Sequence, residues 1–292
     1  MKNALRAALL LLLPGLTGCL SHTRNVLRVI GPNQLMNATA DQLITQVNAQ
    51  YDVLQSLNAS VEISASVGGG STGNVTDYTS FSGYVLLKKP GMLRVILLVP
   101  VLRTRMIDMV SDGSNFKMLI PPQNRAIVGS DTVTVPSKKP LENLRPDVFL
   151  ESMLIQGVGP DDLVSLTSDV HVETPAKAKY AVEVPDYDLT ITRRTGKSNE
   201  LQTLRVIHFD RTNLLPYKQD IYDKDGRLAT VATYDNYQKF GDVQFPTLIN
   251  MSRPLDEYAI KMVIDKLSTN QELGDDQFQL KIPDNVPVQK MP

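Results

Sequence analysis

The only cysteine of the chain, Cys19, ends the sequence Leu16-Thr17-Gly18-Cys19. A single thiol forms no intrachain disulfide, no CxxC redox pair and no multi-thiolate metal site. The residues before it have the parts of a secretory signal: Lys2 and Arg6 are positively charged, an apolar run follows, and small residues precede the cysteine. The apolar run is shorter than the about 20 residues that cross a bilayer, so we expect this leader to be cleaved.

This leader resembles those of bacterial lipoproteins. In that class the cysteine becomes the first mature residue and carries acyl chains on its sulfur and its amine. The resemblance implies a signal peptide over residues 1–18, lipidation of Cys19 and a tether over residues 19–36. A multiply acylated cysteine would hold the protein on a membrane surface. The alternative is a secreted soluble protein with a free thiol.

Other residues give little support for catalysis or for a metal centre. His22 lies in the tether, and His171 and His208 lie in strand-like runs, where a lone histidine is typically a half-buried surface residue. The chain has no GxSxG, HExxH or Walker motif. Asp223-Lys224-Asp225-Gly226 is read as a hairpin turn, because a calcium loop would need a glutamate where Tyr234 stands. We therefore expect no catalytic residue, no metal site and no cofactor.

The charge balance argues against a nucleic-acid partner. Without the leader the chain keeps 28 basic against 31 acidic residues, a formal charge of −3, and the two signs are mixed along its length. Proteins that bind nucleic acid instead carry a clustered excess of basic residues.

The hydrophobic pattern predicts one helix, then mostly strands. Thr39 and Gln42 have the spacing of a capping box, and apolar residues recur at helical spacing as far as Leu57. A second helix is predicted from Pro146 to Gly157. Short alternating runs separated by turn residues fill most of the remainder and indicate an antiparallel meander. No linker divides the chain, so residues 37–292 are predicted to form a single domain.

One stretch of about 50 residues, Ser82 to Ser130, resembles the LolA/LolB superfamily of lipoprotein carriers and outer-membrane receptors. The resemblance rests on Lys88-Lys89-Pro90-Gly91 before a strand, Pro100 after it, and Ser111-Asp112-Gly113 at the next turn. It implies an α+β fold: a strongly curved antiparallel sheet of about eleven strands, an incomplete barrel, with helices covering its open mouth. It also implies that Lys89 latches the helical lid, and that the extra residues around 138–146 and 193–200 are loops.

Strand parity independently predicts an apolar inner wall, since alternate side chains face opposite sides of a sheet. Arg94, Asp108 and Lys117 mark the outer face. The residues that alternate with them are the predicted lipid-binding set: Leu93, Val95, Leu97, Val99, Ile107, Met109, Phe116, Met118 and Ile120. Such a wall can line a cavity for an acyl chain or form a packed core beneath a helix, and the pattern is the same in both cases.

The turn after Pro100 is predicted to contact a membrane. It places two apolar residues, Val101 and Leu102, beside Arg103 and Arg105, whose guanidinium groups can meet lipid phosphates. In the receptor branch of the superfamily the matching loop projects an apolar residue into the membrane. The alternative is a partly buried hairpin with solvated arginines.

Together these features predict an outer-membrane lipoprotein, facing the periplasm, that binds acyl chains and takes part in lipoprotein or lipid transfer without covalent chemistry. Leu20 agrees with outer-membrane sorting, because the inner-membrane retention signal of related bacteria is an aspartate at that position. Its partners would be acyl chains, the membrane and a periplasmic carrier protein. A structural envelope lipoprotein, a carrier of another lipid and a lipid esterase are the alternatives.

Overall fold

The computed structural model describes residues 27–29, 35–69, 73–131, 144–174, 181–196 and 199–291. Cys19, the leader and most of the tether lie outside these ranges. Within the described part of the chain, no helix is long and apolar enough to span a membrane.

The described residues form a single curved sheet of sixteen strands and two α-helices. The helices are α1, Ala40–Val53, and α2, Pro146–Met153. The strands of the first half are β1 Arg28–Val29, β2 Ser56–Gly68, β3 Val75–Asp77, β4 Phe81–Lys88, β5 Met92–Leu98, β6 Arg105–Asp112, β7 Asn115–Ile120 and β8 Arg125–Ser130. Those of the second half are β9 Leu163–Glu173, β10 Val182–Arg194, β11 Leu201–Asp210, β12 Leu215–Tyr222, β13 Leu228–Phe240, β14 Val243–Arg253, β15 Tyr258–Thr269 and β16 Val288–Lys290.

Two antiparallel meanders share this sheet. One runs from β4 to β8 and the other from β10 to β15, and β2 lies between β4 and β15 and joins them. Two short strands extend the sheet in parallel pairings, β1 on β10 and β16 on β8, while β9 pairs with β10 and β3 with β2. The sheet is open rather than closed, as expected.

The prediction of about eleven strands is wrong. The three-residue β3 and β16 and the two-residue β1 are too short to show a period in the sequence, and β16 forms only because the chain returns to the β8 edge. The sequence predicts separate strands over residues 178–184 and 189–193, on either side of Pro185, but residues 182–194 form one strand, β10. Pro185 lies one residue before β11 begins to pair, at Asp186, so it does not interrupt that ladder.

α1 has the predicted start but a different end. Thr39 Oγ1 accepts a hydrogen bond from the Gln42 backbone N–H, and Gln42 Oε1 accepts one from the Thr39 N–H, which completes the capping box. The helix ends at Val53, and Leu57 belongs to β2, where it is fully buried. The spacing of Leu57 fitted a helix, but the same residue also fits the alternation of the strand that follows.

α2 ends at Met153, four residues earlier than predicted. Gly157 is not its stop. A Cβ on Gly157 would lie 2.9 Å from Asn48 Oδ1 on α1, and that same oxygen accepts a hydrogen bond from the Val158 N–H at 2.7 Å. Glycine is therefore needed here because the segment after α2 passes close to α1.

Both helices pack on one face of the sheet, which we call the helix-covered face. Leu43 and Val47 of α1 pack on Leu189, Ile191, Ile207 and Phe209 of β10 and β11. Phe149 and Met153 of α2 pack in a larger cluster, which extends across the neighbouring strands of the sheet from β13 through β15, β2 and β4 to β8. Ile155, between the helices, contacts both clusters, so the two cores are continuous.

Candidate functional site

The structure places the nine predicted lipid-binding residues on the helix-covered face, as strand parity indicated. Six of them are buried in the larger cluster: Leu93, Val95, Leu97, Met109, Phe116 and Met118. Ile107 and Ile120 pack against that cluster, and Val99 lies just beyond the end of β5, half-buried.

α2 fills the space in front of these residues. Phe149 and Met153 are only 2% and 3% exposed and belong to the same cluster, together with Leu154 directly after the helix. In this structure eight of the nine side chains, all except that of Val99, therefore form a packed core beneath a helix, one of the two arrangements that the alternation allowed.

The outer face of β6 departs from the prediction. Asp108, expected to face solvent, is fully buried. Arg94 donates to both of its carboxylate oxygens, at 3.0 and 2.9 Å, and Arg105 Nη1 lies 3.1 Å from Oδ2. Arg94 also donates to the Gln277 carbonyl oxygen, so the turn at Asp275–Phe278 covers this ion pair. Arg105 is exposed but paired with a protein carboxylate, and Arg103 is the second exposed arginine of the predicted membrane loop.

An apolar cleft remains between the two helices and the β12–β14 strands. Its volume is about 70 Å³. Its apolar lining comprises Val47, Tyr51, Leu54, Met153, Leu154, Ile155, Leu215, Pro216, Tyr234, Tyr237, Val243, Phe245 and Pro246. None of the nine predicted residues lines it. Strand parity in β5 to β7 does not predict this cleft, because its walls come from the two helices and from the late strands β12 to β14.

Tyr234, one of the residues that line the cleft, carries a buried hydroxyl group. Its side chain is 5% exposed, and its hydroxyl has no hydrogen-bond partner among the described residues. Burial raises the pKa of Tyr234 well above its ordinary value, so the hydroxyl keeps its proton and remains a donor. A buried donor without an acceptor costs free energy unless a ligand or water satisfies it.

Lys89 fastens the end of α1 to the corner between β4 and β5. Its Nζ donates to the Tyr51 carbonyl oxygen and lies 3.5 Å from the centre of the Tyr51 ring. Burial lowers the pKa of Lys89, and Asp52 opposes that shift. These contacts hold the end of α1, and the lid-latch role of Lys89 stays a prediction.

The loop after Pro100 exposes its apolar residues. Val101 is 95% exposed and Leu102 72% exposed, which excludes the alternative of a partly buried hairpin tip. Val101 has φ 67° and Arg103 φ 54°. A β-branched residue rarely adopts this left-handed conformation, so the tip is held in a strained shape while presenting apolar surface to solvent.

Acidic and basic groups surround the buried end of α2. Burial and the nearby Asp147 raise the pKa of Glu151 to about 7, while Arg253 and Arg205 oppose the shift. Arg205 donates to the carbonyl oxygens of Gln156 and Gly157, at 3.0 and 2.7 Å, and thereby holds the segment after α2. Glu151 therefore exchanges its proton at a higher pH than an ordinary glutamate.

The predicted hairpin at Asp223 is confirmed. The Asp223 N–H donates to the Arg227 carbonyl oxygen at 2.9 Å, and the Asp223 carboxylate accepts bonds from the Asp225 and Arg227 N–H groups. Of the loop predicted near 193–200, the described residues 195, 196, 199 and 200 lie between β10 and β11, whereas Arg193 and Arg194 belong to β10, so the predicted start of the loop is wrong. The one predicted around 138–146 falls mostly outside the described residues, and its last residue, Pro146, begins α2.

Comparisons with known proteins give the fold a context. A family model described as an uncharacterised protein matches residues 165–282. No curated protein matches the sequence. A DUF1329 family protein from Desulfovibrio piger is similar in structure with a TM-score of 0.51 and 16% identity, over 82% of this chain and 95% of that one. This likeness shows a shared fold.

A LolA superfamily protein from Nitrosomonas europaea has a TM-score of 0.49 and 15% identity, over 84% of this chain and 99% of that one. The description of that protein names the superfamily that residues 82–130 of this chain resemble.

Lys89→Met should loosen the end of α1. Losing the cation–π contact and the bond to the Tyr51 carbonyl should destabilise this end by roughly 1 kcal/mol. Hydrogen exchange at the amides of Tyr51 to Val53 should become several-fold faster. Lys88→Met is the matched control, because Lys88 instead contacts Asp275 and the Leu273 carbonyl oxygen. Equal effects of the two variants on α1 would contradict a latch at Lys89.

Glu151→Gln should stabilise the protein above about pH 5. The folded state holds the Glu151 proton more tightly than the unfolded state, so wild-type stability falls as the pH rises from about 4.5 to about 7. Urea unfolding at pH 8 should show a gain of roughly 3 kcal/mol for the variant, and at pH 4.5 almost none. Glu272→Gln, which removes a charge from an exposed site, serves as control. An equal gain at both pH values would refute the raised pKa.

Proposed function

We propose that this protein binds an acyl chain of a lipoprotein or lipid between its two helices and the curved sheet, and transfers it without covalent chemistry. The apolar cleft, whose lining includes Tyr234 with its buried and unpartnered hydroxyl, is the observation that carries the proposal. An acyl chain would pack on the apolar lining, and its carboxyl or ester oxygen would accept the Tyr234 hydrogen bond. No cofactor takes part.

The cleft must widen to admit a chain. At about 70 Å³ it is smaller than the roughly 150 Å³ cavity that holds a benzene ring. Moving α1 outward exposes mainly Leu43 and Val47, at a cost of roughly 3–6 kcal/mol. About eight buried methylenes, at ~0.8 kcal/mol each, offset that cost. An acyl chain longer than this would therefore be bound with a net gain.

The exposed tip at Val101 and Leu102 would carry out the membrane step of the transfer. Its apolar side chains would enter the acyl region while Arg103 meets phosphates. The strain at Val101 supports this role, because a solvent-facing turn has no need of a β-branched residue in the left-handed region.

We also propose that residues 1–18 are removed, that Cys19 is acylated, and that residues 37–292 act as one domain at the outer membrane, facing the periplasm. A periplasmic carrier protein would then be the donor or acceptor of the lipid. The leader and Cys19 lie outside the described residues, and these assignments rest on the sequence alone.

A structural envelope lipoprotein is the second candidate. The packed interior favours it, since α2 fills the space in front of the nine predicted lipid-binding residues. A scaffold of this kind would not take up an acyl chain in the cleft.

Gln50→Trp should report on lipid in the cleft. Gln50 is an exposed residue of α1 at the rim, and the chain has no natural tryptophan, so the introduced indole is the sole emitter of its kind. Brominated fatty acid should quench its fluorescence in a saturable manner. Tyr84→Trp is the control, because Tyr84 is exposed on β4, away from the cleft. No quenching, or equal quenching of both variants, would favour the scaffold.

Leu102→Glu should weaken membrane contact without affecting folding. Losing the insertion of one leucine removes roughly 2 kcal/mol, so partitioning of the non-acylated domain onto phosphatidylglycerol-containing vesicles should fall at least about tenfold. Leu255→Glu is a matched control, since Leu255 is also exposed, on the turn at Pro254–Asp256. Thermal melting should be unchanged for both. If the two variants partition alike, the loop has no special role.

A further inference from the structure

The face of β10 and β11 opposite the helices carries a compact group of carboxylates and imidazoles. Asp186 and Asp188 alternate with Leu189 and Ile191 along β10, so they point away from α1, and His208 lies directly opposite Asp188 on β11. The His208 Nδ1 atom is 2.6 Å from Asp188 Oδ1. Ligand atoms of Asp186, Asp188 and His208 all lie within 4.8 Å of one another.

Asp186 shows that the group is incomplete. The residue is 2% exposed, and its Oδ2 accepts a bond from the Tyr217 hydroxyl at 2.5 Å and lies 3.2 Å from His171 Nδ1. Its Oδ1 is buried and has no hydrogen-bond partner among the described residues. A buried carboxylate oxygen without a partner is costly, and a bound cation would satisfy it.

The strand register adds to this cost. Asp186 lies directly opposite Asp169 on β9 and directly opposite Asp210 on β11, so three carboxylates form one row across the sheet. Like charges at directly opposed positions destabilise a sheet. A cation beside Asp186 would relieve this repulsion, and the neighbouring His171 contacts only Oδ2.

The Nε2 atom of His208, on the other side of the ring from Asp188, has the surroundings of a metal-binding histidine. Its Nε2 lies 3.2 Å from Asp220 Oδ2, and Lys218 Nζ is 2.8 Å from the same oxygen. Metal-binding histidines commonly donate their second ring N–H to a carboxylate, which fixes the tautomer and orients the ring. With Nε2–H donating to Asp220, the Nδ1 lone pair points towards Asp188, and a carboxylate oxygen of Asp186 lies within 4.8 Å. The Tyr217 hydroxyl supports the Asp186 carboxylate in the same way.

We propose that Asp186, Asp188 and His208 bind a divalent transition-metal ion of the Zn²⁺ class. One nitrogen and two oxygen ligands suit this class, whereas Ca²⁺ takes six to eight oxygens. Bound at about 2.0–2.2 Å, the ion would replace the proton between Asp188 and His208 and bring the donor atoms to about 3.3 Å from one another. Three protein ligands leave a fourth position for water. This site departs from the sequence-based expectation of no metal.

Titration calorimetry of Zn²⁺ into metal-free, untagged mature protein tests the proposal. We expect saturable binding of one ion, and at least a hundredfold weaker binding by His208→Ala and by Asp188→Asn. Asp220→Asn should lower the affinity about 10- to 100-fold, as expected for a partner of a ligand. Asp223→Asn is the matched control: its carboxylate has similar exposure to that of Asp188, 22% against 19%, and also contacts a basic group, but it lies in the β12–β13 turn. It should bind as the wild type does.

A second measurement on the unaltered protein covers the case in which the variants fail to fold. In a histidine ¹⁵N spectrum, Zn²⁺ should shift the His208 Nδ1 resonance and leave Nε2 protonated. Absence of saturable binding, or binding that leaves His208 unshifted, would overturn the proposal. So would wild-type affinity in a folded His208→Ala protein.

Discussion

The pairing of β2 with β15 is the interaction on which the rest of the structure depends. These strands lie near opposite ends of the chain, and their ladder runs from Val67 and Tyr258 to Leu57 and Thr269. The meander of β10 to β15 continues from one side of this ladder, and the meander of β4 to β8 from the other. The ladder therefore joins the apolar faces of the two meanders into one face. Closing so long a loop costs conformational entropy. Side chains buried along both strands, such as Val61 and Met262, offset that cost.

Once the face is continuous, two short helices must cover it, and they do so differently. α2 contributes five buried residues out of eight and behaves as part of the core. α1 is longer but buries only Leu43 and Val47 and leaves a cleft beside it. The unequal coverage explains why the half of the sheet that carries the superfamily-like motifs is filled, while open apolar surface lies against the later strands.

Features that depend on residues close together in the sequence could be predicted. The capping box at Thr39, the inward alternation of β5 and β7, the hairpin at Asp223 and the exposure of Leu102 follow from residues close together in the sequence. Contacts between distant segments were not predictable in this way. Asp108 is buried because the turn near Gln277 folds over it, and Asp186 meets His208 only through the register of β10 with β11. A single sequence contains the side chains of such sites but not the pairing that brings them together.

Entry of a ligand under α1 rather than α2 follows from how the two helices are held. α2 is fixed by groups that would be left buried and unpaired if it moved: Gln219 Nε2 donates to the Glu151 carbonyl oxygen at 3.0 Å, and Arg205 binds the two carbonyls just beyond the helix. Breaking contacts to a buried guanidinium costs more than exposing one or two aliphatic side chains. α1 is fixed at its end, where Lys89 binds Tyr51 and Asn270 Nδ2 donates to the Val53 carbonyl oxygen at 2.8 Å. Its middle is held by hydrophobic contact, which an acyl chain can replace in kind, and by two partly exposed hydrogen bonds, from Gln46 Nε2 to the Leu214 carbonyl oxygen and from the Val158 N–H to Asn48 Oδ1. Water can satisfy the groups of these two bonds when α1 moves outward, so α1 can swing about its fixed end while α2 keeps the core closed.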